Sequence, residues 1–133
     1  MSLFYNRIQR INPMDPTASR KWFPVLKSIG TYNDDDVSGE IAEITKLTPK
    51  EAETALYQFQ EVLIKALLSG KTVKLAKLGT FRLTLNTVGS DTKEEVTHQM
   101  IKKVNVRFSP SDTFKERVAK ARFSMAVNIV TEE

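Results

Sequence analysis

Apolar residues in the middle of the chain repeat with the spacing of an α-helix. From Ala52 to Leu67 they recur three and four residues apart, which places them on one helical face. Residues 48–51, Thr-Pro-Lys-Glu, combine an N-cap hydroxyl, a proline at the first helical position and an acid that closes a capping box. The pattern predicts a helix over residues 49–69, ended by Gly70.

A shorter apolar stripe precedes this helix. Val37, Ile41 and Ile44 share one helical face and follow three aspartates at 34–36, which favour the positive end of a helix dipole. We therefore predict a helix from Asp34 to Thr45. Two helices joined so closely form a helical hairpin, whose apolar face needs a further layer to cover it.

After Gly70 the apolar period changes from 3.6 to 2. Alternation around Lys74 and again around Arg82 predicts a β-hairpin that turns near Gly79. A third strand is predicted around Arg107. The inward face of these strands is apolar, and the outward face carries the three cations just named.

The remaining segments carry weaker signals. Residues 90–101 begin with a possible capping box at Thr92–Glu95 and predict a short helix, and Ser109 or Ser111 is expected to cap a last helix that runs to about Arg122. Strand-like alternation occupies the two ends of the chain, at residues 3–11 and 123–129.

Composition describes an ordinary folded domain. The chain has 133 residues, of which 41% are hydrophobic and 27% charged, and it has no cysteine. We find no apolar run long enough to span a bilayer, and polar residues interrupt the first twelve positions, so we expect neither a membrane segment nor a signal peptide. A cytoplasmic location is the expectation.

Charge is distributed unevenly. The net charge is +4, but residues 34–70 hold eight acids against three bases, whereas residues 71–90 hold four bases and no acid. One part of the fold is therefore acidic and another basic. A basic element fits a polyanionic partner, and a solvated basic surface is the alternative.

Catalytic motifs are lacking. His98 is the one histidine and falls in a predicted surface helix, without a marked serine and acid to complete a triad. The aspartates at 34–36 lack the ligand spacing and glycine of a calcium loop, and the sequence has no glycine-rich phosphate loop. We expect no enzyme activity, cofactor, metal ion or small-molecule substrate.

Several motifs resemble the bacterial HU and IHF family of histone-like DNA-binding proteins. They are Leu-Thr-Pro-Lys-Glu-Ala at 47–52, Ser-Gly-Lys-Thr-Val-Lys-Leu at 69–75, Leu-Gly-Thr-Phe at 78–81 and Phe-Ser-Pro at 108–110. The resemblance implies an α+β fold in which a helical hairpin precedes an antiparallel sheet with a modified arm and a C-terminal helix. It further implies an intertwined homodimer. Residues 34–122 would form the HU-like domain, with an N-terminal extension at 1–33 and a strand-like tail at 123–133.

The resemblance also implies a function and its residues. A basic β-saddle would bind the phosphate backbone and minor groove of double-stranded DNA, largely independently of sequence, in a nucleoid-associated role. The expected DNA-binding residues are Lys71, Lys74, Lys77, Arg82, Lys102, Lys103, Arg107 and Lys115. The expected dimer core is Phe59, Leu78, Phe81 and Phe108, for which packing within one subunit is the alternative.

The arm departs from the family pattern. Residues 87–109 contain no proline, and the acid-containing segment 91–99 takes the place of the usual arm tip. We therefore do not expect DNA kinking by an intercalated proline. The departure also supports a second hypothesis, an HU scaffold that serves as a structural or protein-interaction module and has lost most of its DNA affinity.

Trp22 is the one tryptophan of the chain and lies in the N-terminal extension beside Phe23 and Pro24. Such a side chain either anchors the extension onto the core or stacks on nucleic-acid bases. We expect the anchoring role.

Overall fold

A computed structural model describes residues 2–126 as six strands and three α-helices. The chain begins with two strands, continues through two helices and three further strands, and ends with a short helix and a strand. The elements are β1 (Ser2–Arg10), β2 (Lys21–Lys27), α1 (Asp34–Ile44), α2 (Pro49–Leu68), β3 (Val73–Leu75), β4 (Gly79–Thr87), β5 (Ile101–Pro110), α3 (Asp112–Ala119) and β6 (Arg122–Met125).

The strands form two separate three-stranded sheets. In the N-terminal sheet, β1 lies between β2, which is antiparallel to it, and β6, which is parallel to it. In the HU-like sheet, β4 lies between β3 and β5, and both pairs are antiparallel. The two terminal segments therefore pair with each other, as their strand-like alternation suggested for residues 3–11 and 123–125. The predicted continuation of the C-terminal strand to Ile129 lies outside the described residues.

Both long helices begin at capping boxes. Asn33 accepts from the Asp36 amide and Thr48 accepts from the Glu51 amide, and in each case the acid side chain accepts from the N-cap amide in return. The Thr48 amide and hydroxyl lower the pKa of Glu51, because both interactions favour the carboxylate. The predicted starts of the two helices are thus confirmed.

The helical layer covers only part of the HU-like sheet. Helices α1 and α2 pack against each other, and the Gln60 amide nitrogen donates to Asp34 Oδ1 at 3.2 Å. Helix α2 also contacts β3 and β4. Within the described part of the chain, the buried hydrophobic residues are Ala52 and Leu67. One subunit therefore leaves most of its apolar side chains in contact with solvent.

The prediction of a helix over residues 90–101 is wrong. The structure has two isolated 3-10 turns there, Lys93–Glu95 and His98–Met100. The Thr92 side chain makes no capping hydrogen bond, and the backbone of Val96 is extended. Because β-branched residues at 96 and 97 disfavour helix and the cap fails, the turns do not join into a helix.

The last helix is shorter than predicted. Ser111 is its N-cap and accepts from the Phe114 amide at 3.1 Å, as expected, but the helix ends at Ala119 and not near Arg122. Arg122 instead begins β6, whose residues bond to β1. Pairing with a distant strand overrides the local helical pattern at this end.

Trp22 does not anchor the extension. It lies in β2 with 66% of its surface exposed, so the anchoring prediction is wrong. Its neighbours along a surface groove belong to the N-terminal sheet itself. Among residues 2–126 the longest helix, α2, is too polar to cross a bilayer, and no other helix has the length and apolar content to do so.

Candidate nucleic-acid interface

The turn between β3 and β4 brings three strands together in a fixed register. Gly79 pairs with Leu75 on one side and Pro110 on the other, and its φ of +147° is a value that L side chains rarely adopt. A Cβ at this position would collide with the Ser109 carbonyl oxygen and lie 2.9 Å from Phe108 Cε1. Glycine is therefore required where the strands converge.

The register gathers the polar side chains of these strands on one face. Residues that pair directly across an antiparallel ladder point to the same side of a sheet. The pairs on this face are Lys74 with Thr80, Thr80 with Ser109, Arg82 with Arg107, Thr84 with Asn105, and Asn86 with Lys103. We call it the polar face of the HU-like sheet. None of its residues is acidic, because β3, β4 and β5 contain no aspartate or glutamate.

Arg82 and Arg107 lie directly opposite each other at the centre of this face. Two like charges in such a pair destabilise a sheet unless an anion offsets their repulsion. Toward the arm, Asn105 Nδ2 donates to Asn86 Oδ1 at 3.0 Å, which leaves further amide hydrogens and hydroxyl groups along the same stripe. Guanidinium, ammonium and neutral donors in one row form a surface suited to phosphate oxygens.

Four of the eight predicted DNA-binding residues lie on the polar face: Lys74, Arg82, Lys103 and Arg107. The other four lie elsewhere. Lys102 falls at a register shift in β5, Lys71 precedes β3, Lys115 lies on α3, and Lys77 lies in the turn before β4, beside a groove formed with β1 and α3. The structure thus brings together half of the predicted set.

The arm that connects β4 to β5 carries negative charge. Val88 donates its amide to the Met100 carbonyl at 3.0 Å, which continues the pairing past the strand ends. Beyond that bond, the tip holds Asp91, Glu94 and Glu95 against the single cation Lys93. The polar face is therefore cationic at its centre and bordered by acids at the arm tip.

The helical side of the molecule is electrostatically opposite to the polar face. The Glu53 carboxylate raises the pKa of Tyr57, with smaller contributions from Asp35 and Asp34, because a nearby negative charge opposes phenolate formation. A hydrogen bond donated by the Tyr32 hydroxyl to Glu40 likewise raises the pKa of Tyr32. A polyanion would therefore approach the sheet in preference to the helices.

The opposite face of the HU-like sheet is apolar. Phe81 and Phe108 pair across β4 and β5 with ring centroids 4.8 Å apart, and Phe114 of α3 lies 6.2 Å from Phe108. Even so, Phe108 remains 42% exposed, and the two other predicted dimer-core residues, Phe59 and Leu78, are 43% and 37% exposed. This aromatic cluster is only partly covered within one subunit.

The family is shown by a comparison with known proteins. Residues 1–125 match the family model HU-HIG, described as an HU domain fused to wHTH, Ig, or Glycine-rich motif. The chain belongs to the HU-HIG family. Its predicted membership of the HU-like proteins is therefore confirmed, and the match extends over the N-terminal sheet as well as the HU-like core.

Relatives of this HU-HIG chain agree with the assignment. A 47-residue stretch is 40% identical to a DNA-binding protein of Bifidobacterium longum, covering 35% of this chain and 50% of that protein. A putative bacterial DNA binding protein from Bacteroides vulgatus superimposes with a TM-score of 0.66 at 12% identity, over 94% of this chain and 48% of that one. The chain spans about half the length of these two relatives.

HU from Anabaena, in a cocrystal with DNA, superimposes with a TM-score of 0.53 at 24% identity, over 66% of this chain and 98% of the HU chain. The two structural likenesses show the fold, and they confirm the predicted α+β class. The share of each chain that is covered also shows that a complete HU chain corresponds to about two thirds of this HU-HIG protein. The intertwined dimer stays a prediction.

Sequence reasoning missed the neutral part of the polar face. Thr80, Thr84, Asn86 and Asn105 join the cations there through the strand register. The signal was present in the sequence, because these residues are in phase with Arg82 or Arg107 in the period of two. Charge alone does not identify these residues, because it selects only lysine and arginine.

Proposed function

We propose that this HU-HIG protein binds double-stranded DNA without catalysis and largely without regard to sequence. The observation that carries the proposal is the polar face, on which Lys74, Arg82, Lys103 and Arg107 share one side of a sheet whose strands contain no acid. The names of two relatives, a DNA-binding protein and an HU crystallised with DNA, support the same ligand. A nucleoid-associated role in the cytoplasm follows from this activity.

Binding would take place through the phosphates. Each cation that neutralises a phosphate releases condensed counterions, and the hydroxyl and amide donors between the cations fix the position of the backbone. We expect the β4–β5 arm to follow the minor groove. Because no proline is present between Thr87 and Ser109, the arm lacks the usual wedge for kinking the duplex.

A homodimer forms the second part of the proposal. Phe59, Leu78 and Phe108 are each more than a third exposed, and Phe108 belongs to the aromatic cluster of the HU-like sheet. A second subunit that covers them would bury apolar area and would place two polar faces side by side. We expect a solution mass of twice 15.1 kDa, measured by light scattering after size exclusion. A monomer at micromolar concentration would contradict the dimer.

The DNA proposal is tested by titrating a labelled duplex at several salt concentrations. For the wild type, we expect log affinity to fall linearly with log salt, with a slope of about 0.9 for each phosphate contacted. The double variant Arg82→Glu/Arg107→Glu should abolish binding for all sequences alike. The matched control is Lys46→Glu/Lys50→Glu, which changes the net charge equally at the start of α2 and should bind as the wild type does.

An HU scaffold used as a protein-interaction module is the second candidate. The acids at the arm tip favour it, since Asp91, Glu94 and Glu95 would lie near phosphates if the arm followed DNA. This candidate predicts no measurable duplex binding even at low salt. Equal binding by the wild type and the Arg82→Glu/Arg107→Glu variant would also argue against the polar face as the DNA site.

A further inference from the structure

The N-terminal sheet has one face that the other described residues, within 2–126, leave open. Pairing places Tyr5 beside Leu26, Arg7 beside Pro24, Gln9 beside Trp22, and Leu3 beside Phe123 on the same side of the sheet. We call this side the aromatic face, after Tyr5, Trp22 and Phe123. The side chains of Trp22 and Phe123 are each 66% exposed, and that of Leu26 is 65% exposed.

The opposite side of this sheet is better covered. Phe4, Ile8 and Val25 alternate onto that side and are only partly exposed. The Arg10 guanidinium also lies there, 5.8 Å from the centre of the Phe23 ring. Phe23 on this side is 40% exposed, but the large hydrophobic side chains of the sheet with the greatest exposure, Trp22, Phe123 and Leu26, all lie on the aromatic face.

A shallow groove of about 620 Å³ runs across the aromatic face. Its lining includes Tyr5, Arg7, Trp22, Pro24, Leu26 and Phe123 of the aromatic face, together with Phe23 of β2, which is in phase with the opposite side. Trp22 pairs with Gln9 of β1, and Phe123 pairs with Leu3 of the same strand. The two aromatic residues are therefore six residues apart along the direction of β1. At about 3.3 Å for each residue this corresponds to roughly 20 Å, a length that spans several nucleotides of a single strand.

The strands that form the aromatic face carry positive charge and no negative charge. Strands β1, β2 and β6 contain five cations and no acid. Arg7 lies on the aromatic face. The other four, Arg10, Lys21, Lys27 and Arg122, occupy end positions of their strands and are in phase with the opposite side. Exposed rings beside Arg7 provide stacking surfaces for bases and a partner for a phosphate.

We propose that the aromatic face is a second nucleic-acid site, specific for unpaired bases of a single strand. Trp22 and Phe123 stack on bases near the two ends of the groove, and Arg7 contacts a phosphate between them. This site is distinct from the polar face of the HU-like sheet and does not depend on it. Its ligand is single-stranded nucleic acid, and DNA and RNA strands share the chemistry that it recognises.

A second copy of the chain fits this face less well. Two aromatic faces placed against each other would bring the Arg7 of one copy toward that of the other, with no acid in β1, β2 or β6 to compensate. A polyanion with aromatic bases matches both the charge and the exposed rings. Charge complementarity thus favours a nucleic acid over self-association.

Trp22 itself reports on the proposed site, because it is the one tryptophan of the chain. Titrating the full-length protein at low salt with a 12-nucleotide oligo(dT), and separately with oligo(U), should quench and shift its fluorescence as bases stack on the indole. Equal responses identify a site that ignores the sugar, and a response to one oligomer alone identifies the strand that the site prefers. An unchanged emission with both oligomers would overturn the proposal.

Variants separate stacking from other effects. Trp22→Ala should weaken binding of a labelled oligo(dT) about tenfold, a loss typical of one base–aromatic contact, and Trp22→Phe should restore most of it. Leu26→Ala is the matched control, since it removes an equally exposed apolar side chain that cannot stack, and should bind as the wild type does. Equal losses for Trp22→Ala and Leu26→Ala would contradict base stacking.

Two further measurements distinguish this proposal from the duplex proposal and from a self-association surface. The Arg82→Glu/Arg107→Glu variant should lose duplex binding and keep the Trp22 fluorescence response to oligo(dT). Duplex binding therefore tests the polar face, and the Trp22 response tests the aromatic face independently of it. The solution mass of Trp22→Ala should equal that of the wild type. A lower mass would show that the aromatic face joins subunits, and would overturn its assignment to nucleic acid.

Discussion

The two sheets of this HU-HIG protein have the same charge and differ in their apolar side chains. Each has three strands that contain five cations and no acid. In the HU-like sheet, Phe81 and Phe108 cluster on the face away from most of the cations. In the N-terminal sheet, Trp22 and Phe123 share an exposed face with Arg7.

The contrast indicates that the amount of positive charge does not define a ligand. A face of cations and neutral hydrogen-bond donors matches phosphates, and therefore a duplex whose bases are stacked inside. A face of exposed rings with one arginine among them matches bases that are free to stack. Substitutions in the sheets, in α2 and at the arm tip test this contrast.

Gly79→Ala is expected to be the most disruptive substitution. It acts on the HU-like sheet alone. A positive φ and a collision with the Ser109 carbonyl oxygen should lower the free energy of unfolding by at least about 2 kcal/mol. Urea unfolding followed by circular dichroism measures the loss. Gly39→Ala is the control, since no heavy atom lies within 4 Å of its new Cβ and alanine favours the α1 helix. Equal stability of the two variants would refute the requirement for glycine.

Neutralising arginines on the two sheets should affect duplex binding unequally. Arg82→Gln/Arg107→Gln should weaken it about ten- to a hundredfold at low salt and reduce the salt slope by about 0.9 for each phosphate that is no longer neutralised. Arg7→Gln removes a cation from the aromatic face and should change duplex affinity less than twofold, roughly the effect of a distant charge. Fluorescence anisotropy of one labelled duplex compares them. A comparable loss for Arg7→Gln would erase the functional distinction between the sheets.

Removing the cap of α2 tests whether this helix stabilises the HU-like sheet that it contacts. Thr48→Ala should lower the free energy of unfolding by about 1 kcal/mol, and Thr54→Ala, on an exposed position of the same helix, should not. The Glu51 pKa lies below its ordinary value of 4.5, so the capping stabilisation is present above that value and disappears as the pH falls through the lowered pKa. Thermal unfolding at pH 7 and pH 3 checks both expectations. A stability difference between the wild type and Thr48→Ala that is larger at pH 3 than at pH 7 would contradict the cap.

The weakest effect is expected at the arm tip. Glu94→Gln/Glu95→Gln removes two acids next to the polar face and should strengthen duplex binding about two- to fivefold, in the range of exposed charge interactions. The same change at Glu53 and Glu61 of α2 should leave affinity unaltered. If both double variants bind alike, the arm does not approach the duplex, which would favour the interaction-module candidate.

Local patterns predicted much of the fold. The capping box at residues 48–51 and the apolar stripe of α2 identified that helix, and the aspartates at 34–36 with the stripe that begins at Val37 identified α1, since helix signals depend on residues three or four positions apart. Alternation identified the hairpin around Gly79 and the strand that contains Arg107. The segment 90–101 failed because an acid-rich start resembles a helix even when the cap bond does not form.

The candidate site was predictable in its cations but not in its geometry. Lys74, Arg82 and Arg107 were found from their phase in the period of two, and the tertiary structure added Asn86 and Asn105 by pairing β4 with β5. Lys77 and Lys115 are equally basic in sequence but lie outside the polar face, because a turn and a helix follow no two-residue period.

The order of amino acids was enough to specify the element types, the HU-like motifs and the division between acidic helices and basic strands. All three depend on residues that are close together in the chain. The pairing of β6 with β1, which brings Phe123 onto one exposed face with Trp22, required the three-dimensional arrangement. Residues so far apart in the chain are brought together by backbone hydrogen bonds, which carry no side-chain signature. For the same reason, exposure of Trp22 became apparent only once its strand had a place in a sheet.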